Sequence, residues 1–257
     1  MKWVINICIF GLLAALAGCQ STPTVTNNAA TGLDPSLLSP IQFAGFSVSG
    51  LVTPAMLERY FNARVLIGSK DADAYDFLAL DVGQEQKRFH VETVAQYLAA
   101  RRQGAAPATT FDMSMDSFFV QAAAAGVFLQ RAQPAKTNLL GQTSLLNLTA
   151  ADLHLGSPEG HVSVADKRRL MDCQRDRSIR HVKHLKPNEW QFATADQDYI
   201  LELIAVGDVN HDGYQDWLLV VTEYYRGGSG RSYSPYWCDG KPDKTGAWAA
   251  RAVPWEN

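Results

Sequence analysis

The stretch Val206-Gly207-Asp208-Val209-Asn210-His211-Asp212-Gly213-Tyr214-Gln215-Asp216-Trp217 lies between two apolar runs, 199–206 and 217–225. Both runs are rich in Ile, Leu, Val and Tyr, which favours strands over helices. Asp208, Asn210 and Asp212 set three oxygen side chains at alternate positions. Gly213 permits a sharp turn, because glycine reaches positive φ without a side-chain penalty. The turn can aim the Tyr214 carbonyl inward, and Asp216 closes the set. Hard oxygen donors in this number suit Ca²⁺, which accepts six to eight ligands in irregular geometry. The expected metal ligands are Asp208, Asn210, Asp212, Tyr214 and Asp216. The same Asp, Asn and Gly residues also make a metal-free hairpin turn.

The first six loop positions match the start of an EF-hand loop. The twelfth position, which needs a bidentate Glu, is Leu219. Strand-like flanks also argue against that motif. The run 207–216 followed by Trp-Leu-Leu-Val-Val resembles one FG-GAP/VCBS-type repeat. That resemblance implies a calcium loop joining two strands. The family builds propellers from several copies, and no second copy occurs in this sequence, so a propeller is not implied.

The chain has 257 residues and a net charge of −3, with ordinary hydrophobic and charged fractions. It can bury a sizeable core in one or two domains, and its charge gives no sign of nucleic-acid binding. Residues 1–18 combine an early Lys2 with a nearly unbroken apolar run, as in a signal peptide. Leu16-Ala17-Gly18-Cys19 resembles a bacterial lipobox. The resemblance implies cleavage before Cys19 and acylation of that residue; several acyl chains anchor stably. Gln20 follows Cys19, where the family's inner-membrane retention signal is Asp, so the outer membrane is expected. Cleavage removes Lys2 and no acid, taking 23 basic residues to 22 against 26 acidic. Residues 19–32 are small and polar and read as a flexible tether.

With Cys8 in the leader and Cys19 lipidated, Cys173 and Cys238 remain. In an oxidising periplasm they are expected to form a disulfide, closing about 65 residues and contributing roughly 4 kcal/mol through lost loop entropy. Two buried thiols are the alternative.

Residues 33–155 read as α-rich. Thr53-Pro54 is a helix start. Residues 40–51 are apolar without a clean period, and 75–82 alternate loosely as a strand. Residues 89–102 and 115–129 keep helical spacing, the second largely buried and stopped by Pro134. Residues 156–257 read as β-rich, with strands at 190–193, 199–206, 217–225, 232–238 and 247–253. Pro235 suits an edge. The basic stretch 167–186 reads as a charged surface helix, with contact to anionic envelope polymers or lipid headgroups as the alternative. On a helix, His181 and His184 form an i, i+3 pair of the kind that binds zinc, without an evident third ligand.

The expected fold class is α+β: an α-rich N-terminal part and a C-terminal antiparallel β-meander with one buried face. The units are 1–18, 19–32, 33–155 and 156–257, with one continuous domain 33–257 as the alternative. The expected function is an outer-membrane-anchored lipoprotein with structural Ca²⁺ and a non-catalytic binding or scaffolding role toward an envelope glycan or protein. The alternative is an envelope enzyme acting on peptidoglycan or another glycan, with Glu202 and Glu223 as acids in a cleft.

Overall fold

A computed structural model describes residues 33–254 except 68–76, 84–86, 140–143, 149–152, 154–167, 195–196 and 227–230. The leader, Cys19, the tether and the expected boundary between 155 and 156 lie outside the described residues. Among those described, no helix is long and apolar enough to cross a membrane.

The central feature is an eight-stranded antiparallel sheet. Its path is β11 (Ala250–Ala252), β10 (Arg231–Cys238), β9 (Asp216–Tyr225), β8 (Gln197–Gly207), β1 (Ser36–Phe43) and β2 (Phe46–Leu51). Strand β7 (Glu189–Ala193) pairs with the first half of β8 and carries the edge strand β6 (Arg180–Lys186). Strand β1 takes the last part of the same β8 edge, Ser36 opposite Val206 and Leu37 opposite Ala205.

The central strands are buried on both faces. Tyr199, Leu201, Leu203, Trp217, Leu219, Val221, Tyr236 and Cys238 enter one core, while Leu218, Val220 and Trp237 enter the other. A bulge in β8 between Leu203 and Ala205 puts Ile204 and Ala205 together on the second side. Double burial is why these strands read as continuous apolar runs. The one-buried-face expectation is corrected accordingly.

Helix α3 (Thr110–Arg131) crosses the second face. Thr109 caps it and Asp112 completes the capping box. Ala122, Ala123, Ala124 and Ala125 are fully buried, so the helix backbone packs close to its neighbours. The Tyr60 hydroxyl from α1 (Pro54–Asn62) donates to the Ala122 carbonyl at 2.7 Å. Helix α2 (Val94–Arg101) and a small sheet, β4 (Lys87–Val91), β3 (Leu78–Val82) and β5 (Ala106–Pro107), complete this layer. The opposite core is covered by a 3₁₀ turn (Ser144–Asn147), Leu153, α4 (Leu170–Arg175) and Trp248.

The α-rich N-terminal part is overturned: the protein is mostly β, and residues 36–107 contribute five strands. Strand β1 escaped notice because its inward residues are Leu37, Ser39, Ile41 and Phe43, while Leu38 faces out at 44 % exposure. A buried serine and an exposed leucine erase the period-two signal. Residues 89–91 belong to β4, and the helix begins only at Val94, after the N-cap Thr93, with Gln96 completing the capping box. The basic stretch is not one surface helix: it supplies α4 and β6. Pro235 lies inside β10, yet Val253 donates to its carbonyl just past the end of β11. A strand residue directs its N–H and C=O to the same side, so the missing donor costs no ladder bond.

Cys173 and Cys238 are buried in the same core, and no disulfide joins them. The expected bridge is absent from the structure. Their packing among Trp217, Tyr236 and Trp248 makes them part of an apolar core.

Candidate metal centre

The loop 208–215 connects β8 to β9 at one end of the large sheet. Its hydrogen bonds follow from the short acidic and amide side chains. Asp208 Oδ1 accepts from the Asp212 amide at 3.2 Å, and Oδ2 from the Gly213 amide at 2.8 Å. Asn210 Oδ1 also accepts from the Asp212 amide, at 3.0 Å. Asp212 Oδ1 receives the Tyr214 amide at 2.9 Å. Each is a side-chain oxygen bonding a nearby backbone N–H, the local chemistry of Asx turns. Gly213 has φ +88°, as its position requires, and His211 at +63° takes a second left-handed position.

Asp216 is fully buried, and three amides serve its carboxylate. Oδ2 accepts from Val209 at 2.8 Å and Asn210 at 3.3 Å; Oδ1 accepts from Gly240 at 2.8 Å. Burial raises its pKa to about 6 against the opposing pull of these amides, and nearby Asp239 adds to the rise. Asp208 is 4 % exposed, whereas Asn210 and Asp212 are open to solvent. The loop thus has a buried carboxylate floor and an exposed oxygen rim.

The loop is also fastened from outside. Gln133 and Asp208 exchange backbone hydrogen bonds at 2.9 and 3.0 Å. The Lys136 and Thr137 amides donate to the Gly213 carbonyl, and the Gln215 amide donates to Thr137. His211 Nε2 lies 3.1 Å from the Arg131 carbonyl at the end of α3, and must be the donor because a carbonyl only accepts. The segment after α3 and Gly240 therefore belong to the site. Neither was found from sequence, because no local spacing links positions 131–137 or 240 to the loop.

The five sequence-predicted ligands all lie in this one loop. Among the described residues, however, no three His, Cys, Asp or Glu side chains converge in a metal-holding cluster. Asp212 is turned to its own Tyr214 amide, and both Asp216 oxygens face amides. The donor chemistry nonetheless fits a hard cation: all side-chain donors are oxygens. Asp208 and Asp216 are buried carboxylates with no Lys or Arg ion pair among the described residues.

Other candidates separate. Glu202 and Glu223 lie on opposite faces of the sheet. Glu202 pairs with Val220 on the α3 side, while Glu223 pairs with Tyr199 on the other. They cannot act in one cleft. Glu202 accepts from Ser39 at 2.6 Å and Gln121 at 3.4 Å, and burial raises its pKa. His184 stacks on Trp190 at 4.8 Å. It is on a strand with His181, so the helical i, i+3 ligand geometry is lost.

The FG-GAP repeat matches residues 202–234, which span the end of β8, the loop, β9 and the first half of β10. No curated protein and no solved structure matches the chain.

Proposed function

We propose that the chain is a lipid-anchored protein of a bacterial outer membrane whose FG-GAP hairpin holds a structural Ca²⁺ ion. In this reading Asp208, Asn210, Asp212, the Tyr214 carbonyl and Asp216 hold the ion, and Cys19 carries the lipid. The role is binding or scaffolding toward an envelope glycan or protein. The observation that carries the metal reading is the pair Asp208 and Asp216. Both carboxylates are buried, and only backbone amides serve them among the described residues. A buried charge is costly unless paired. A divalent cation supplies that compensation and stiffens the hairpin. Asp208 and Asn210 already accept from the Asp212 amide, which draws the loop into a turn around its oxygen donors.

Calorimetric titration of the chain with Ca²⁺ tests the metal. Asp212→Ala should lose the binding heat, and an unchanged titration in that variant overturns the assignment. Cys19→Ser tests the anchor: acyl labelling and membrane fractionation should both be lost. Continued labelling of that variant overturns Cys19 as the lipid site.

A further inference from the structure

Among the described residues strand β6 pairs only with β7, and six of its seven residues are exposed. It carries Arg180, Lys183 and Lys186, three residues apart. In a regular strand that spacing sends Lys183 to the face opposite the other two. Here it does not. Arg180 stands opposite Ala193, Lys183 opposite Gln191 and Lys186 opposite Glu189. Residues 189, 191 and 193 alternate along β7 and share one face, and directly opposed residues point the same way. Two register shifts, between Arg180 and Lys183 and between His184 and Lys186, bring this about. Each adds a residue to β6, so all three cations line one face at intervals of roughly 7 Å, the two-residue repeat of their β7 partners. His181 sits in the first shift at φ +55°, a conformation that disfavours a side chain.

The charges are largely uncommitted. Lys186 bonds Glu189 at 2.5 Å. Arg177, Arg180 and Lys183 have no carboxylate at ion-pair distance among the described residues. Positions 167–186 hold eight of the chain's 23 basic residues and two of its 26 acidic ones. The rest of the chain carries 15 basic against 24 acidic residues, so the basic charge is concentrated in this one segment.

We propose that this aligned row on β6 is a docking surface for an acidic polysaccharide, its repeated carboxylates meeting Arg180, Lys183 and Lys186. Edge strands also use cations to repel other strands, but one or two suffice and their facing is free. Alignment by two shifts, one through a left-handed His181, is not needed for that purpose. An extended polymer with regularly spaced anions uses it fully. The choice of a polymer over a bilayer rests on the lipid-anchor reading. Ser36 meets the end of β8 at Val206, while the Arg180 end of the row lies beside Ala193 and Asp198 at its start. The separation along β8 is roughly 26 Å. A chain tethered through residues 19–32 turns its Ser36 end toward its own membrane and the Arg180 end away.

The test is binding of the chain to polygalacturonate, with phosphatidylglycerol vesicles and neutral dextran as parallel probes. Wild type should bind polygalacturonate, weaken as salt rises, and ignore dextran. The triple variant R180Q/K183Q/K186Q should lose about a hundredfold in affinity, given about 1 kcal/mol per cation near an anionic surface and tenfold per about 1.4 kcal/mol. A control triple, K87Q/R102Q/K244Q, changes net charge equally and should bind as wild type. The swap K183H/H184K keeps composition but moves one cation to the other face, and should weaken binding while the far-ultraviolet circular dichroism of the folded chain is retained. H184Q, which removes the same stack on Trp190 and leaves the row intact, should bind as wild type. Absent polygalacturonate binding, equal loss in both triples, an indifferent swap, or tighter binding to the vesicles each overturns the proposal. The readout does not require acylation. Failure at Cys19 with polymer binding intact therefore removes the anchor and leaves the docking surface.

Discussion

The Gly240 amide donates to Oδ1 of Asp216 at 2.8 Å, tying the turn after β10 to the first residue of β9. The other Asp216 oxygen holds the Val209 and Asn210 amides. One buried carboxylate thus joins three segments at the end of the sheet. Only a residue without a side chain fits at position 240, because a Cβ there would run into the Gln215 carbonyl and the backbone beyond it.

Gly240→Ala should therefore destabilise the protein by about 1–3 kcal/mol through overpacking against backbone that cannot yield. Urea denaturation measures this directly. An unchanged midpoint would show that the turn moves without cost.

Calcium should stabilise the folded chain by mass action. With a dissociation constant of about 10⁻⁴–10⁻³ M, as in extracellular modules, 10 mM Ca²⁺ contributes about 1.4–2.7 kcal/mol. For a chain of this size that raises the melting temperature by roughly 3–10 °C. Asp212→Ala should abolish the shift. A melting temperature that ignores calcium in the wild type sinks the metal reading.

Asp116 predicts a pH effect. It accepts the Tyr97 hydroxyl at 2.9 Å, and burial raises its pKa, against the lowering influence of Arg101 and that hydrogen bond. A raised carboxyl pKa favours the folded state at low pH. The contribution is fully present below the ordinary carboxylate pKa and is lost as pH rises through the folded value. Asp116→Asn removes this dependence while keeping an acceptor for Tyr97. Its stability relative to wild type should improve between pH 4 and about pH 7, the window in which carboxyls titrate. Parallel denaturant midpoints at the two pH values check it, and a constant difference counts against it.

Tyr60→Phe removes the 2.7 Å bond from a fully buried hydroxyl to the Ala122 carbonyl. The expected loss is about 0.5–1.5 kcal/mol. Equilibrium unfolding should show a lower midpoint at an unchanged denaturant slope.

The local chemistry of this protein was legible in its sequence. Asp, Asn and Gly at positions 208–216 dictate a tight oxygen-rich turn, and Thr53-Pro54 dictates a helix start, because each depends only on neighbours. The heart of β8 and β9 could be read because the doubly buried stretches 203–206 and 217–221 are apolar at every position. Strand β1 could not, because Ser39 is inside only where Glu202 and Asn188 meet it, at 2.6 and 2.5 Å from distant positions. The cation row on β6 likewise exists only through its register with β7. The tertiary structure alone decided that Gly240 and residues 131–137 close around the loop 208–215. Those contacts join segments far apart in the chain, and no periodicity within either segment records them. The sequence by itself determined the loop, its oxygen donors and the strands on either side; the packing of remote backbone determined what holds that loop in place.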